Sequence, residues 1–289
     1  MRFWHALAFA PTNELVDLAR ATERCGYHGA TISDHLFYTE AQTSAYPYSS
    51  DGSTFWHAET PWPEPWAAIS AMATATDRLQ FTTNVYVGPV RDLFTVAKSV
   101  STAAVLSTGR VALGGAACWN REEYQQTGQD FGTRGRRLDE MIVALRQLWS
   151  GGVTEFHGEH YDFPALQMSP TPPGPVPIYI GGDSDAALRR AATLGDGWVG
   201  NAYDVETADG VLERLHSQRR AAGRENQQFE IILGVRAQPD QALIERYAER
   251  GVTGMLCAPW MRGTTPTERI DAVERFADRY LTTLQGSTS

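Results

Sequence analysis

Lysine is almost missing from this 289-residue chain. Lys98 is the only one, and it sits in a stretch with helical spacing, Phe94 to Leu106, where a surface or packing role is the natural reading. Schiff-base chemistry and lysine-gripped phosphates therefore have one candidate and a weak one. Cysteine is scarce too: Cys25, Cys118 and Cys257 are an odd, widely spaced set without a CxxC, which excludes a disulfide framework and a cysteine zinc cluster. No apolar run reaches membrane-spanning length. The opening Met1-Arg2-Phe3-Trp4-His5-Ala6 soon meets Pro11 and Glu14, so it does not read as a signal peptide, and a cytoplasmic setting is expected. Positive charge is in deficit, with a net charge of -9, which argues against nucleic-acid or membrane-surface partners. An anionic ligand would have to be held by backbone amides and a few arginines.

What is present is ordinary for a folded globular domain: 42% hydrophobic and 20% charged residues. Short apolar runs alternate with longer amphipathic ones, the pattern of parallel strands joined by crossover helices. Strands are predicted at Phe3–Phe9, Gly29–Ser33, Leu79–Val87, Arg110–Ala116, Val176–Ile180, Gly197–Gly200, Glu230–Val235 and Gly254–Ala258. Helices are predicted at Asn13–Cys25, Glu64–Thr76, Leu93–Leu106, Arg134–Trp149, Ala186–Leu194, Thr207–Ala222, Asp240–Arg250 and Pro266–Leu284. The alternation predicts an α/β fold, a single (β/α)8 TIM barrel over residues 1–289, with a doubly wound sheet as the alternative. Two excursions interrupt it. Leu36 to Pro63, after strand two, is polar and aromatic; Gly151 to Pro175, before strand five, is proline-rich.

In such a barrel, function gathers at the carboxyl ends of the strands. Ser33-Asp34-His35 ends strand two. Histidine is suited to proton transfer near neutral pH, and a neighbouring carboxylate can orient a ring or a ligand, although a structural Asp-His pair reads the same way. Leu113-Gly114-Gly115-Ala116-Ala117-Cys118-Trp119 ends strand four with small residues that let a flat ligand approach the backbone, or simply let loop pack on barrel. Ile180-Gly181-Gly182-Asp183-Ser184 leads from strand five into a helix, a backbone cradle suited to phosphate, with Asp183 or Ser184 equally readable as a helix cap. Trp56 on the first excursion, Trp119 and Trp260 are candidate substrate-pocket walls. His157-Gly158-Glu159-His160 resembles a metal cluster at first sight but reads as part of a small hairpin, and no metal site is expected. Glu122-Glu123 as a glycosidase acid-base pair fails because Arg236, not a carboxylate, stands at the end of strand seven.

Together these segments resemble the luciferase-like monooxygenase family, and within it the oxidoreductases that use the deazaflavin coenzyme F420. The resemblance runs through Gly29 to His35, Thr83-Asn84-Val85-Tyr86-Val87-Gly88-Pro89 and Leu106-Ser107-Thr108-Gly109-Arg110. It continues through Trp119-Asn120-Arg121-Glu122-Glu123-Tyr124, Arg134 to Glu140 and Gly195-Asp196-Gly197-Trp198. It implies that Asp34 hydrogen-bonds the polar edge of the deazaflavin ring, and that His35 faces its reactive carbon or the substrate as the catalytic group. It implies a cis peptide at Asn84-Val85 behind the ring. Val87, Ala117 and Cys118 would line the ring or its ribityl chain, and Gly181, Gly182, Asp183, Ser184, Ala186 and Ala187 would cradle the phosphate. It also implies a homodimer. The sugar-phosphate-oxidising branch carries a glutamate acid where this chain has Trp119. That departure points to a small apolar or aromatic substrate and leaves open whether His35 acts with a partner acid, acts alone or only shapes the pocket beside the ring. Ser-Asp-His favours F420 over FMN, as FMN-using relatives more often show a Glu-His-His type sequence there. The alternatives are an FMN-dependent, reductase-coupled monooxygenase and a non-catalytic F420- or flavin-binding protein.

Overall fold

The computed structural model describes residues 1–260 and 264–281. The strands are β1 (Arg2–Ala6), β2 (Gly29–Ile32), β3 (Gln80–Thr83), β4 (Val111–Gly115), β5 (Val153–His157) and β6 (Asp162–Gln167). They continue with β7 (Ile178–Gly181), β8 (Gly197–Tyr203), β9 (Glu230–Val235) and β10 (Gly254–Cys257). β5 and β6 form a separate antiparallel hairpin, while the other eight pair in parallel and close into a barrel in which each strand lies beside the next barrel strand in the chain. β2, with all four residues buried, shows why these runs are nearly continuous in apolar residues: a parallel strand under a layer of helices has no wet face.

The helices are α1 (Leu15–Arg24), α2 (Pro65–Thr74), α3 (Leu93–Leu106), α4 (Arg121–Gln126) and α5 (Arg134–Trp149). They continue with α6 (Asp185–Leu194), α7 (Val205–Ala221), α8 (Gln241–Glu249) and α9 (Pro266–Phe276). α1 buries Leu15, Leu18, Ala19 and Thr22, an apolar stripe at helical spacing that packs on the barrel. Most crossover helices open on a side-chain cap. Asp92, Ser184, Asp204 and Asp240 each accept a hydrogen bond from the backbone N–H three residues on, and Thr265 with Glu268 makes a full capping box. These helix starts follow the carboxyl ends of strands, so their unsatisfied N–H groups collect at one end of the barrel.

Inside the barrel, Trp4, Val199 and Ile232 form a buried layer with Tyr179 and Leu256 against them. Strand alternation places Ala6, Ser33, Gly181 and Gly234 on the same inward face nearer the carboxyl end, and all four border a cavity there. Bulk at one end and small residues at the other is what opens the barrel's mouth.

Several boundaries differ from the sequence expectation. β1 stops at Ala6, and Phe9 takes the left-handed region with φ +68. β3 stops at Thr83, before a cis peptide at Asn84–Val85, and Tyr86 keeps only an isolated bridge to Gly115. β8 runs on to Tyr203 through a register shift between Val199 and Ala202. α4 was not anticipated; Asn120 caps it by accepting from Glu122 and Glu123 N–H. α9 ends at Phe276 and passes into a π-helical turn, Ala277–Leu281; the predicted continuation over residues 282–284 lies outside the described residues. Among the described residues no helix is long and apolar enough to cross a membrane.

Candidate active site

A cavity of about 1360 Å³ occupies the carboxyl end of the barrel. This exceeds the roughly 300–1,000 Å³ usual for a single small-molecule site, so it has room for two ligands side by side. Asp34, His35, Asn84, Val85 and Val87 border it from β2 and β3; Ala117, Cys118 and Trp119 from β4. Gly181, Gly182, Asp183, Ser184, Ala186 and Ala187 border it from β7 and α6, and Trp56 reaches it from the first excursion. The sequence-predicted positions thus meet in one place, with one exception. Trp260 does not line the cavity: its indole Nε1 donates to His5 Nε2 at 3.0 Å. His5 is fully buried behind β1, with its Nδ1 2.7 Å from Thr22 Oγ1, which itself donates to Leu18 O. That arrangement suits a neutral ring with its proton on Nδ1, and burial lowers the His5 pKa to about 3.

Asp34 borders the cavity, and both oxygens of its carboxylate are engaged within the chain. Oδ2 accepts from Val87 N–H at 3.0 Å and from Arg91 Nη1 at 2.7 Å, while Oδ1 accepts from Arg91 Nη2 at 2.8 Å. The Asp34 side chain is 1% exposed. A bidentate guanidinium pair and a backbone N–H make Asp34 the anchor of the 84–91 segment. Arg91 also lies 4.3 Å from the centre of the Tyr86 ring. Its only sequence signal was its place just past the strand-three motif.

His35 has an acidic partner after all. Its Nδ1 lies 3.0 Å from Glu123 Oε1, which also accepts from Leu36 N–H at 2.9 Å. The sequence leaves open whether His35 has a partner acid; the carboxylate beside it comes from α4, four residues beyond Trp119. A carboxylate on Nδ1 fixes the tautomer and turns Nε2 into the nitrogen available to a ligand. Glu123 is completely buried and its Oε2 has no hydrogen-bond partner. The His35 ring is enclosed by Trp56, Trp62 and Trp119, with ring centres 5.2, 4.9 and 5.9 Å away. Tyr46 packs edge-on against Trp56 and Trp119. Trp62 and Tyr46 belong to the aromatic excursion, whose many rings were the available hint.

The two glutamates of α4 divide their work. Glu122 Oε1 accepts from Thr43 N–H and Oγ1, each at 2.7 Å, and from Ser44 N–H at 3.1 Å, tying the first excursion over the cavity. Burial pushes the Glu122 carboxyl up, but the bonds from Ser44 and Thr43 outweigh it and hold the pKa at about 2. Beside the two glutamates, Cys118 takes φ +59, and burial, with Glu123 nearby, pushes its thiol up to about 12.

The opposite side of the cavity is built from glycine and a helix start. A Cβ on Gly181 would stand 2.3 Å from Val85 Cγ1, so a side chain here would push the Val85 side chain aside. Gly182 takes φ +102, and its carbonyl accepts from Trp198 Nε1 at 2.8 Å. Ser184 caps α6 by accepting from Ala187 N–H at 3.3 Å, leaving the first amides of the helix for a ligand. Arg136 and Arg189 border this end as well, and Arg190 pairs with Asp139. Backbone amides, a helix N-terminus and arginines suit an anion such as phosphate.

Comparison with known proteins agrees with this geometry. A profile described as luciferase-like monooxygenase matches residues 4–279. An uncharacterized protein of Mycobacterium tuberculosis is 36% identical over 97% of this chain and 99% of its own length. The F420-dependent hydroxymycolic acid dehydrogenase of the same organism is 28% identical, covering 92% of this chain and 77% of that one. Among solved structures, monooxygenase RslO1 from Streptomyces bottropensis superposes with a TM-score of 0.77 at 16% identity, over 98% of this chain and all of that one. With the motifs, the closed barrel and the family profile in agreement from one end of the barrel to the other, the chain belongs to the luciferase-like monooxygenase family.

Proposed function

We propose that this protein is an F420-dependent oxidoreductase acting on a small apolar or aromatic organic substrate. The observation that carries the reading is one cavity with two unlike ends: His35, held by Glu123 among three tryptophans, and the Gly181–Ala187 cradle opposite. The residues fit a flat cofactor that carries a phosphate. Gly181 keeps the floor beside Val85 free of a side chain, and the α6 amides with Arg189 would take the anion. When bound, the deazaflavin would supply hydride chemistry at carbon 5, and the protein supplies orientation and electrostatics. The similarity to an F420-dependent dehydrogenase supports the choice of cofactor.

Within this reading the chain's own residues have separate tasks. Asp34 and Arg91 hold the 84–91 segment behind the cavity. Glu123 keeps a proton on His35 Nδ1, so Nε2 accepts or returns the substrate proton. Trp56, Trp62 and Trp119 exclude water and favour an apolar or aromatic body. A homodimer belongs to the same proposal; α3 leaves Phe94, Val105 and Leu106 exposed, and sedimentation at twice the chain mass would support it.

The test is a fluorescence titration with each cofactor separately. Saturable quenching by F420 and none by FMN is expected; the reverse would refute the F420 assignment in favour of an FMN enzyme. On any apolar or aromatic compound that the F420-loaded enzyme turns over, His35→Ala should lower turnover by roughly 10²–10⁴-fold. Turnover within a few-fold of wild type would remove His35 from the chemistry, whereas saturable F420 binding with no turnover of any such compound would point to a binding protein.

A further inference from the structure

Three unlike donors meet at the end of β4. His35, Cys118 and Glu123 each offer a ligand atom, and those atoms lie within 4.8 Å of one another. Two donors on one tetrahedral zinc ion at 2.0–2.3 Å are about 3.3–3.8 Å apart, so rotations of these side chains that draw the donors in by up to about 1.5 Å would enclose an ion. Nitrogen, sulfur and carboxylate oxygen form a set chosen by borderline-soft ions such as zinc and cobalt, and a poor one for magnesium or calcium.

A second observation is independent of the clustering. Glu123 Oε2 is buried and has no hydrogen-bond partner, on a side chain with no exposure at all. A lone carboxylate oxygen out of water is costly, and coordination is one way to satisfy it. His35 and Cys118 both border the large cavity, so an ion entering from the cavity meets two of the three donors. With three protein ligands, a water would complete the coordination, unlike the closed four-ligand set of structural zinc. A second group with metal spacing among the described residues, Glu140, Glu159 and His160, is weaker: Glu140 already accepts the backbone N–H of residues 159, 160 and 161.

We infer that His35, Cys118 and Glu123 form a binding site for one zinc-class divalent cation, whose occupancy takes His35 out of service. The sulfur binds as thiolate, its proton passing to the buffer, and no electron transfer is involved. The ion would replace the His35–Glu123 hydrogen bond by two bonds to metal, the Nδ1 proton passing through solvent to Nε2, so that the ring stays neutral and Nε2 can no longer accept a proton. The inference stands apart from the identity of the cofactor, because the site consists of protein groups alone.

The experiment uses the full chain, freed of metal by a chelator and then desalted, and titrated with cobalt(II). A near-ultraviolet thiolate-to-cobalt band should saturate at one ion per chain and vanish on adding zinc. Cys118→Ser should abolish the band, whereas Cys25→Ser and Cys257→Ser should keep it. Glu123→Gln and His35→Ala should weaken binding at least tenfold, with circular dichroism confirming that each variant is folded. No saturable band in the wild type, or an unchanged band in Cys118→Ser, overturns the inference. Cofactor titrations are not needed for the readout, so a failure of the F420 assignment would leave this result unaffected.

Discussion

Replacing Arg91 by alanine should destabilise the fold more than its position at the cavity rim suggests. Its two terminal nitrogens sit 2.7 and 2.8 Å from the two oxygens of Asp34, whose side chain is 1% exposed. Without the guanidinium, a buried carboxylate keeps only the Val87 N–H. Removing one partner of a buried pair costs about 3–5 kcal/mol, and the 12% exposure of Arg91 places this pair at the lower end, about 3 kcal/mol. For a chain of 289 residues, at about 2 °C per kcal/mol, the melting temperature should fall by about 6 °C. Asp34→Asn in the same background removes the uncompensated charge, so the double variant should be more stable than the sum of the two single losses by at least about 1 kcal/mol. Urea and thermal unfolding of the four proteins measure both quantities. A loss under about 0.5 kcal/mol for Arg91→Ala, or additivity within that margin, would refute the view of Asp34 as a structural anchor.

The other expectations concern separate parts of the molecule. His5 has its pKa lowered to about 3 from 6.5, so its neutral form stabilises the fold above pH 6.5, and this contribution is lost as pH falls from 6.5 towards 3. At pH 5 that amounts to about 2 kcal/mol relative to pH 8, and the loss should be smaller in His5→Gln when unfolding is followed at both pH values. Glu122→Gln should loosen the first excursion by about 1.5–3 kcal/mol, seen as faster amide exchange at Thr43 and Ser44 while exchange in the β4 core stays unchanged.

The barrel is legible in the sequence because local chemistry and global fold agree. α3, α5 and β9 begin and end where spacing and capping residues predict, at Leu93–Leu106, Arg134–Trp149 and Glu230–Val235. The site is legible in position but not in pairing. His35 and Glu123 are 88 residues apart, and nothing local to either signals that α4 brings them together. The same holds for Asp34 and Arg91, 57 residues apart. Trp260 is misread because an aromatic residue at a strand end can face the cavity or turn outward, and here a buried histidine acceptor turns it outward. The early end of β1 follows from the φ of +68 at Phe9, a conformation that a bulky side chain rarely adopts and that apolar patterning does not reveal.

The central claim is that the cavity between His35 and the Gly181 cradle holds F420. Calorimetric titration of F420 into wild type and Gly181→Ala tests it directly, because the added Cβ would lie 2.3 Å from Val85 Cγ1 inside that cavity. The account predicts one F420 per wild-type chain and at least tenfold weaker binding to a folded Gly181→Ala. Equal affinity in the two proteins, or no F420 binding by the wild type, would contradict it.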